Sequence, residues 1–139
     1  DLEVQVGVTV RLTDDVAAVF DAARPGVAMR VGGYGPSSHN FHRDAMSRRG
    51  FGEAADRITE LFAAGLRDEA AAAVPDDYLD DGALVGSRQR IAGRFEQWRS
   101  TLATGLTVRP TSVEEMELLV ELAGCEPRLD VEVPPGPAF

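Results

Sequence analysis

His39 and His42 are the two histidines of the chain, with Asn40 and Phe41 between them. On a helix a spacing of three puts both imidazoles on roughly one face. Two imidazoles with a carboxylate such as Asp44 form a metal-binding set in principle. Asp44 faces away from His42 at that spacing, and no His-Glu-x-x-His pattern occurs. No metal site is therefore expected, and polar surface or ligand contact is the better reading.

Gly86-Ser87 is the second candidate. It follows the apolar run Ala83-Leu84-Val85 and precedes a helical pattern. Turns from strand to helix make anion sites from free backbone N–H groups. The plainer alternative is a turn with a serine helix cap. Gly32-Gly33-Tyr34-Gly35 lacks the spacing of a dinucleotide fingerprint and follows a helix rather than a strand. It reads as a helix stop and tight loop, or as a loop lining a ligand entrance. No Gly-x-Ser-x-Gly nucleophile elbow is present. The single cysteine, Cys125, has no histidine near it in sequence and excludes an internal disulfide or a cysteine metal cluster.

These residues need a scaffold, and the apolar periodicity supplies one. Leu2, Val4, Val6, Val8 and Val10 alternate strictly, predicting a strand over Leu2–Val10 with one buried face. Thr13-Asp14-Asp15 opens a helix carrying Val16, Val19, Phe20, Ala23 and Val27, with a kink or break expected near Ala23 because of Pro25. After the Val31–Ser38 loop, Ser37 or Ser38 caps a segment through Asn40, Phe41 and Met46 that ends at Arg49-Gly50. Further helices are predicted over Phe51–Ala64 and Leu66–Val74, the latter closed by Pro75-Asp76-Asp77.

The second strand is Ala83–Val85. Ser87 caps a helix whose core stripe is Ile91, Phe95, Trp98 and Leu102, while Arg88, Arg90, Arg94 and Arg99 form a mostly solvated face. Leu106–Val108 is the third strand. Ser112-Val113-Glu114-Glu115 has the form of a capping box and opens a helix with Val113, Met116, Leu119, Val120 and Ala123 inward, stopping at Gly124. Residues 125–139 hold four prolines and read as an extended tail after a unit over 1–124. Strands alternating with helices predict an α/β fold with a parallel sheet.

The 139 residues suffice for one domain. Fourteen cations, all arginine, against 23 acids give a net charge of −9. That argues against general nucleic-acid backbone binding and against attraction to anionic lipid. Hydrophobic residues at 44% permit a real core, and no apolar run reaches the roughly 18 residues of a membrane span. With one cysteine and no signal-like start, a reducing, cytoplasmic setting is expected.

Taken in order, Val-Thr-Val…Thr-Asp-Asp, Ala-Arg-Pro…Val-Gly-Gly-Tyr-Gly…His-Asn-Phe, Glu-Ala-Ala-Ala-Ala-Val-Pro-Asp, Leu-Val-Gly-Ser-Arg-Gln-Arg-Ile and Val-Arg-Pro-Thr-Ser resemble the C-terminal part of the bacterial-luciferase-like monooxygenase superfamily. The branch using the deazaflavin coenzyme F420 is the most similar. The resemblance implies a (β/α)8 TIM-type barrel, of which this chain would supply about strands 6 to 8 with a long helical insertion over residues 32–74. It implies hydride transfer between a reduced coenzyme, F420 or alternatively FMN, and a small organic substrate. Gly86 and Ser87 would touch the coenzyme, and Tyr34, His39, Asn40, Phe41 and His42 would line the substrate mouth. No catalytic residue is assigned. The early strands and the coenzyme-phosphate loop would lie upstream of Asp1, so coenzyme binding would need that half. The alternative is a truncated, non-catalytic homologue acting as an interaction module. In either case open sheet edges predict self-association or pairing with a chain carrying the earlier strands.

Overall fold

The computed structural model describes residues 2–35 and 39–125. Three strands, β1 (Gln5–Leu12), β2 (Ala83–Gly86) and β3 (Gly105–Val108), form one parallel sheet in the order β2-β1-β3. Thr9 pairs with Ala83 and Val6 with Leu106. The helices are α1 (Val16–Gly33), α2 (Phe41–Met46), α3 (Gly52–Ala63), α4 (Arg67–Ala72), α5 (Asp76–Asp81), α6 (Arg88–Arg99) and α7 (Val113–Ala123). A π-type turn over Ser47–Phe51 joins α2 to α3, with Gly50 at φ +92°.

The mixed α/β architecture with a parallel sheet is as expected. The order is not that of consecutive barrel strands, in which each strand pairs with its neighbours in sequence. Here β1 is central and separates β2 from β3.

Strand alternation sorts the sheet into two faces. Val8, Val10 and Leu84 pack with Ile91 of α6 and with Leu118 and Leu119 of α7. On the other face Ala83 and Val85 pack against Phe20 of α1. A separate core joins α1 to the helical segment through Val27, Val31, Met46, Ala55, Ile58, Leu61 and Val74. Beyond the cover of α1 the second face is open and polar, with Gln5, Gly7, Thr9 and Thr107 exposed.

Several sequence expectations fail for tertiary reasons. The strand begins later than Leu2, which is 84% exposed; among the described residues no strand pairs with it and no helix covers it. The first helix runs through Pro25. The lost hydrogen bond costs about 3 kcal/mol. Phe20 on one side and Val27, Ala28 and Val31 on the other are all buried, and each large apolar side chain recovers about 1.5–3 kcal/mol. Helix α1 stops at Gly33, as the glycine run predicts, but Gly32 and Gly33 lie inside its last turn and not in the loop after it. Pro75-Asp76-Asp77 does not merely close α4; Pro75 precedes α5, and both acids lie in its first turn. Ser37 and Ser38 fall outside the described residues, and the cap of α2 is Asn40. The extended tail expected over residues 125–139 lies outside the described residues apart from Cys125.

The inward faces of two helices also differ from expectation. Leu102 lies beyond the end of α6 and is 91% exposed, and Trp98 is half-buried. On α7, Val113, Met116 and Val120 are exposed, while Glu115, Leu118 and Leu119 face the sheet. The helix turns this way because the Glu115 carboxylate is bound at the end of β1. Leu12 N donates to it at 3.0 Å.

Candidate functional site

Because the strands are parallel, their C-terminal ends share one edge of the sheet. Open α/β sheets and barrels place ligands at that edge. Thr13, Ser87 and Arg109 follow β1, β2 and β3 there. Three helices start at the same edge, each under a side-chain cap. Asp15 Oδ1 accepts from Ala18 N at 3.0 Å, Ser87 Oγ from Arg90 N at 3.3 Å and Ser112 Oγ from Glu115 N at 3.1 Å. The cap of α1 is thus Asp15. Thr13 Oγ1 instead accepts from Asp15 N at 3.0 Å.

Gly86 is buried at φ +126°, a conformation that favours glycine. A Cβ there would meet Arg90 Cδ at 2.7 Å and Val16 Cγ2 at 3.4 Å, so the turn is closed on the sides of α1 and α6. Thr13 N donates to Gly86 O at 3.1 Å, tying the turns after β1 and β2 together. Ser87 is the exposed part of this turn.

Beside it lies an arginine and carboxylate arrangement that sequence reading missed. Arg90 Nη2 and Arg94 Nη1 each meet a different oxygen of Asp80 at 2.8 Å. Arg90 also donates to Val85 O, and Arg94 Nε donates to Ala83 O at 3.1 Å. These carbonyls lie on the outer edge of β2, away from β1. Two residues expected in solvent therefore cover a strand edge. Helical spacing places Arg90 and Arg94 one turn apart, but Asp80 comes from α5, and only the fold brings it there.

Glu115 forms the second clamp. Its carboxylate accepts from Leu12 N at 3.0 Å, Thr111 N at 2.6 Å and Thr111 Oγ1 at 3.1 Å, and it lies 4.0 Å from Arg11 Nη1. Burial pushes its pKa up. The backbone bonds from Thr111 and Leu12, the Thr111 hydroxyl and the Arg11 charge together outweigh that, and the group is held below the ordinary carboxylate range. The Ser-x-x-Glu pattern flagged this residue as half of a capping box. Its carboxylate instead reaches Thr111, the residue before the Ser112 cap, and Leu12 at the end of β1.

Tyr34, His39, Asn40, Phe41 and His42 lie elsewhere. Helix α1, 18 residues long, spans about 27 Å. It begins at the strand C-terminal edge and ends beside Tyr34. The two groups of candidate residues are therefore not brought together. Within the second group, His42 stands between Tyr34 and Phe41, each ring centroid 5.8 Å from its own in an edge-on arrangement. Phe41 is 73% and Tyr34 48% exposed. Asn40 is buried. Its Oδ1 accepts from His42 N and Arg43 N at 3.0 and 3.1 Å, and its Nδ2 donates to Val31 O and Arg30 O at 2.6 and 3.3 Å. Both ends of its amide are engaged within the protein, and it acts as the clamp between α1 and α2. Among the described residues no group of three or more His, Cys, Asp or Glu is placed to hold a metal ion.

No helix among the described residues is long and apolar enough to cross a membrane. No solved structure matches the chain. The chain is 34% identical over 122 residues to a Mycobacterium tuberculosis (strain ATCC 25618 / H37Rv) protein named "Putative coenzyme F420-dependent oxidoreductase", a match covering 88% of this chain and 35% of that protein. It thus spans about a third of the length of the curated relative it matches. The sequence model described as luciferase-like monooxygenase matches residues 1–105. With three-quarters of its length matched in this way, the chain belongs to the luciferase-like monooxygenase family.

Proposed function

We propose that this chain is the C-terminal part of an oxidoreductase that transfers hydride between coenzyme F420, or alternatively FMN, and a small organic substrate. The observation that carries the reading is the 34% identity to a protein named as F420-dependent, extending over 88% of this chain. The bound coenzyme would supply the hydride chemistry. The turn after β2 fits a contact to its anionic part. Ser87 is exposed at the start of α6, where the helix end is electropositive. Gly86 permits the tight approach of α1 and α6 behind it. Tyr34, His39, Asn40, Phe41 and His42 are not part of this site, because the length of α1 separates them from it.

Coenzyme binding on this reading needs the polypeptide that carries the earlier strands, supplied as an upstream segment or a partner chain, in a cytoplasmic setting. The open polar face of β1 and β3 supports that need, since parallel sheets are normally covered on both faces. The β2-β1-β3 order favours a second reading, a non-catalytic module that packs in its own way.

Coenzyme titrations separate the two. The 139 residues fused behind the upstream region of the F420-named relative should bind F420 or FMN and show coenzyme-dependent oxidation or reduction. Replacing Ser87 by Ala should weaken coenzyme binding. A folded fusion that binds neither coenzyme would overturn the oxidoreductase reading.

A further inference from the structure

β1 is the central strand, and one of its faces is polar. Gln5, Gly7 and Thr9 are exposed there and Arg11 is half-buried, with Thr107 of β3 and Arg109 just after it exposed beside them. Gly7 is paired with Thr107. Alternation carries the next side chains of this face to Thr9 and Arg11 on one strand and to Arg109 on the other.

Gly7 has no packing reason among the described residues. Its register with β3 is unbroken, so no bulge requires it. A Cβ on it would meet nothing within 4 Å, so no described segment approaches it closely. Glycine inside a strand weakens it, and one that faces open space marks a place where a ligand comes near the backbone. A groove of about 330 Å³ lies over it, lined by Gly7, Thr9, Arg11, Thr107 and Arg109.

The polar side chains of the groove are cations and hydroxyls, and among the described residues no carboxylate lines it. On a chain of net charge −9 that is a local reversal of sign, and a cleft lined by one sign of charge gathers ligands of the other. The Arg109 guanidinium and the hydroxyls of Thr9 and Thr107 have no hydrogen-bond or ion-pair partner among the described residues. Arg11 is partly engaged. Its Nη1 donates to Val10 O, and to Arg109 O at 3.5 Å, and lies 4.0 Å from the Glu115 carboxylate. Leu12 N and Thr111 N already hold that carboxylate. The Nε and Nη2 of Arg11 are left, and the bond to Arg109 O fixes one arginine beside the backbone of the other. A planar guanidinium fork binds carboxylate or phosphate oxygens with two bonds at once.

We propose that the groove between β1 and β3 binds a small organic oxyanion, a carboxylate or a phosphate ester. Its charged group sits between Arg11 and Arg109, and its body lies over Gly7 between the hydroxyls of Thr9 and Thr107. All these groups belong to the described sheet, so the site does not rest on the coenzyme reading.

NMR of the arginine side-chain Nε–Hε signals of the 139-residue chain tests this. The probes are inorganic phosphate, succinate and the uncharged succinamide, at constant ionic strength. Phosphate or succinate should move the Arg11 and Arg109 signals saturably at roughly millimolar concentration, and the tighter of the two tells a phosphate ester from a carboxylate. Succinamide should move neither. Arg109→Gln should weaken binding roughly tenfold or more, the loss of one charge-assisted pair. Gly7→Leu keeps both arginines and has room for its side chain on the strand, and it should weaken binding as much by filling the groove. Arg48→Gln, which removes an exposed arginine of the helical segment, should change nothing. A non-saturable drift of all exposed arginines alike would mean general attraction to surface charge and would overturn the proposal. So would an equal response to succinamide, or parent-like affinity in a folded Gly7→Leu variant.

Discussion

Phe62 occupies the space that a side chain on Gly32 would need. A Cβ at Gly32 would fall 2.4 Å from Phe62 Cβ, and one at Gly33 would fall 2.5 Å from Phe62 Cε1. The glycines that read in sequence as a helix stop and tight loop are also the surface on which α3 approaches α1. Arg67 lies over the same ring, with its guanidinium carbon 3.5 Å from the centroid.

Two helical glycines should respond to alanine with opposite signs. Gly32→Ala overpacks the α1–α3 contact and should destabilise by about 1–3 kcal/mol. Gly93 in α6 has nothing within 4 Å of a new Cβ. Gly93→Ala should stabilise by about 0.5–1 kcal/mol through helix propensity. Urea midpoints of the two variants check this; equal shifts of one sign would remove the role given to Phe62.

The Glu115 clamp should make stability depend on pH on the acid side. Its folded-state pKa lies below the ordinary value, so the unfolded chain binds the proton first as pH falls. The stabilisation is complete above the unfolded carboxylate pKa and is lost as pH descends through the lower folded one. Glu115→Gln keeps the shape but loses the charge and should cost about 1.5–3 kcal/mol at neutral pH. It should also flatten the acid limb of a denaturation-midpoint against pH curve, and an unaltered limb would contradict the assignment.

Asp80 is shared by Arg90 and Arg94 at the covered edge of β2, with side chains only 20%, 35% and 19% exposed respectively. Asp80→Ala leaves two guanidinium groups without their partner and should cost about 1–3 kcal/mol. A double-mutant cycle with Arg94→Ala should show coupling of about 0.5–3 kcal/mol, as for residues in one network. Additive effects would mean that the ion pairs are incidental to how α6 sits on the strand.

The isolated 139 residues should bind neither F420 nor FMN tightly, since the proposed coenzyme site needs the earlier strands. Equilibrium dialysis or fluorescence titration would check this. Micromolar or better affinity would mean that the described sheet edge suffices by itself.

The local chemistry of this chain was legible from its residues. Strict alternation from Val4 to Val10 identifies β1, because a strand reverses its side chains at every residue. Ser87 and Ser112 announce the starts of α6 and α7, because a cap needs only its own oxygen and an N–H three residues away. Even the family was legible, since the order of short motifs along a chain survives without any knowledge of contacts. What sequence could not decide was which partner each residue meets across the fold. Gly32 and Gly33 became a packing surface because Phe62, thirty positions later, needs their missing side chains. Met116 and Val120 turned outward because Leu12 and Thr111 hold the Glu115 carboxylate and so set the rotation of α7. Arg90 and Arg94 left solvent because α5 brings Asp80 to them. The strand order was likewise beyond reach. Alternation and capping act over two to four residues, whereas β1 takes its central place from contacts with strands that lie about 70 and 100 residues away along the chain.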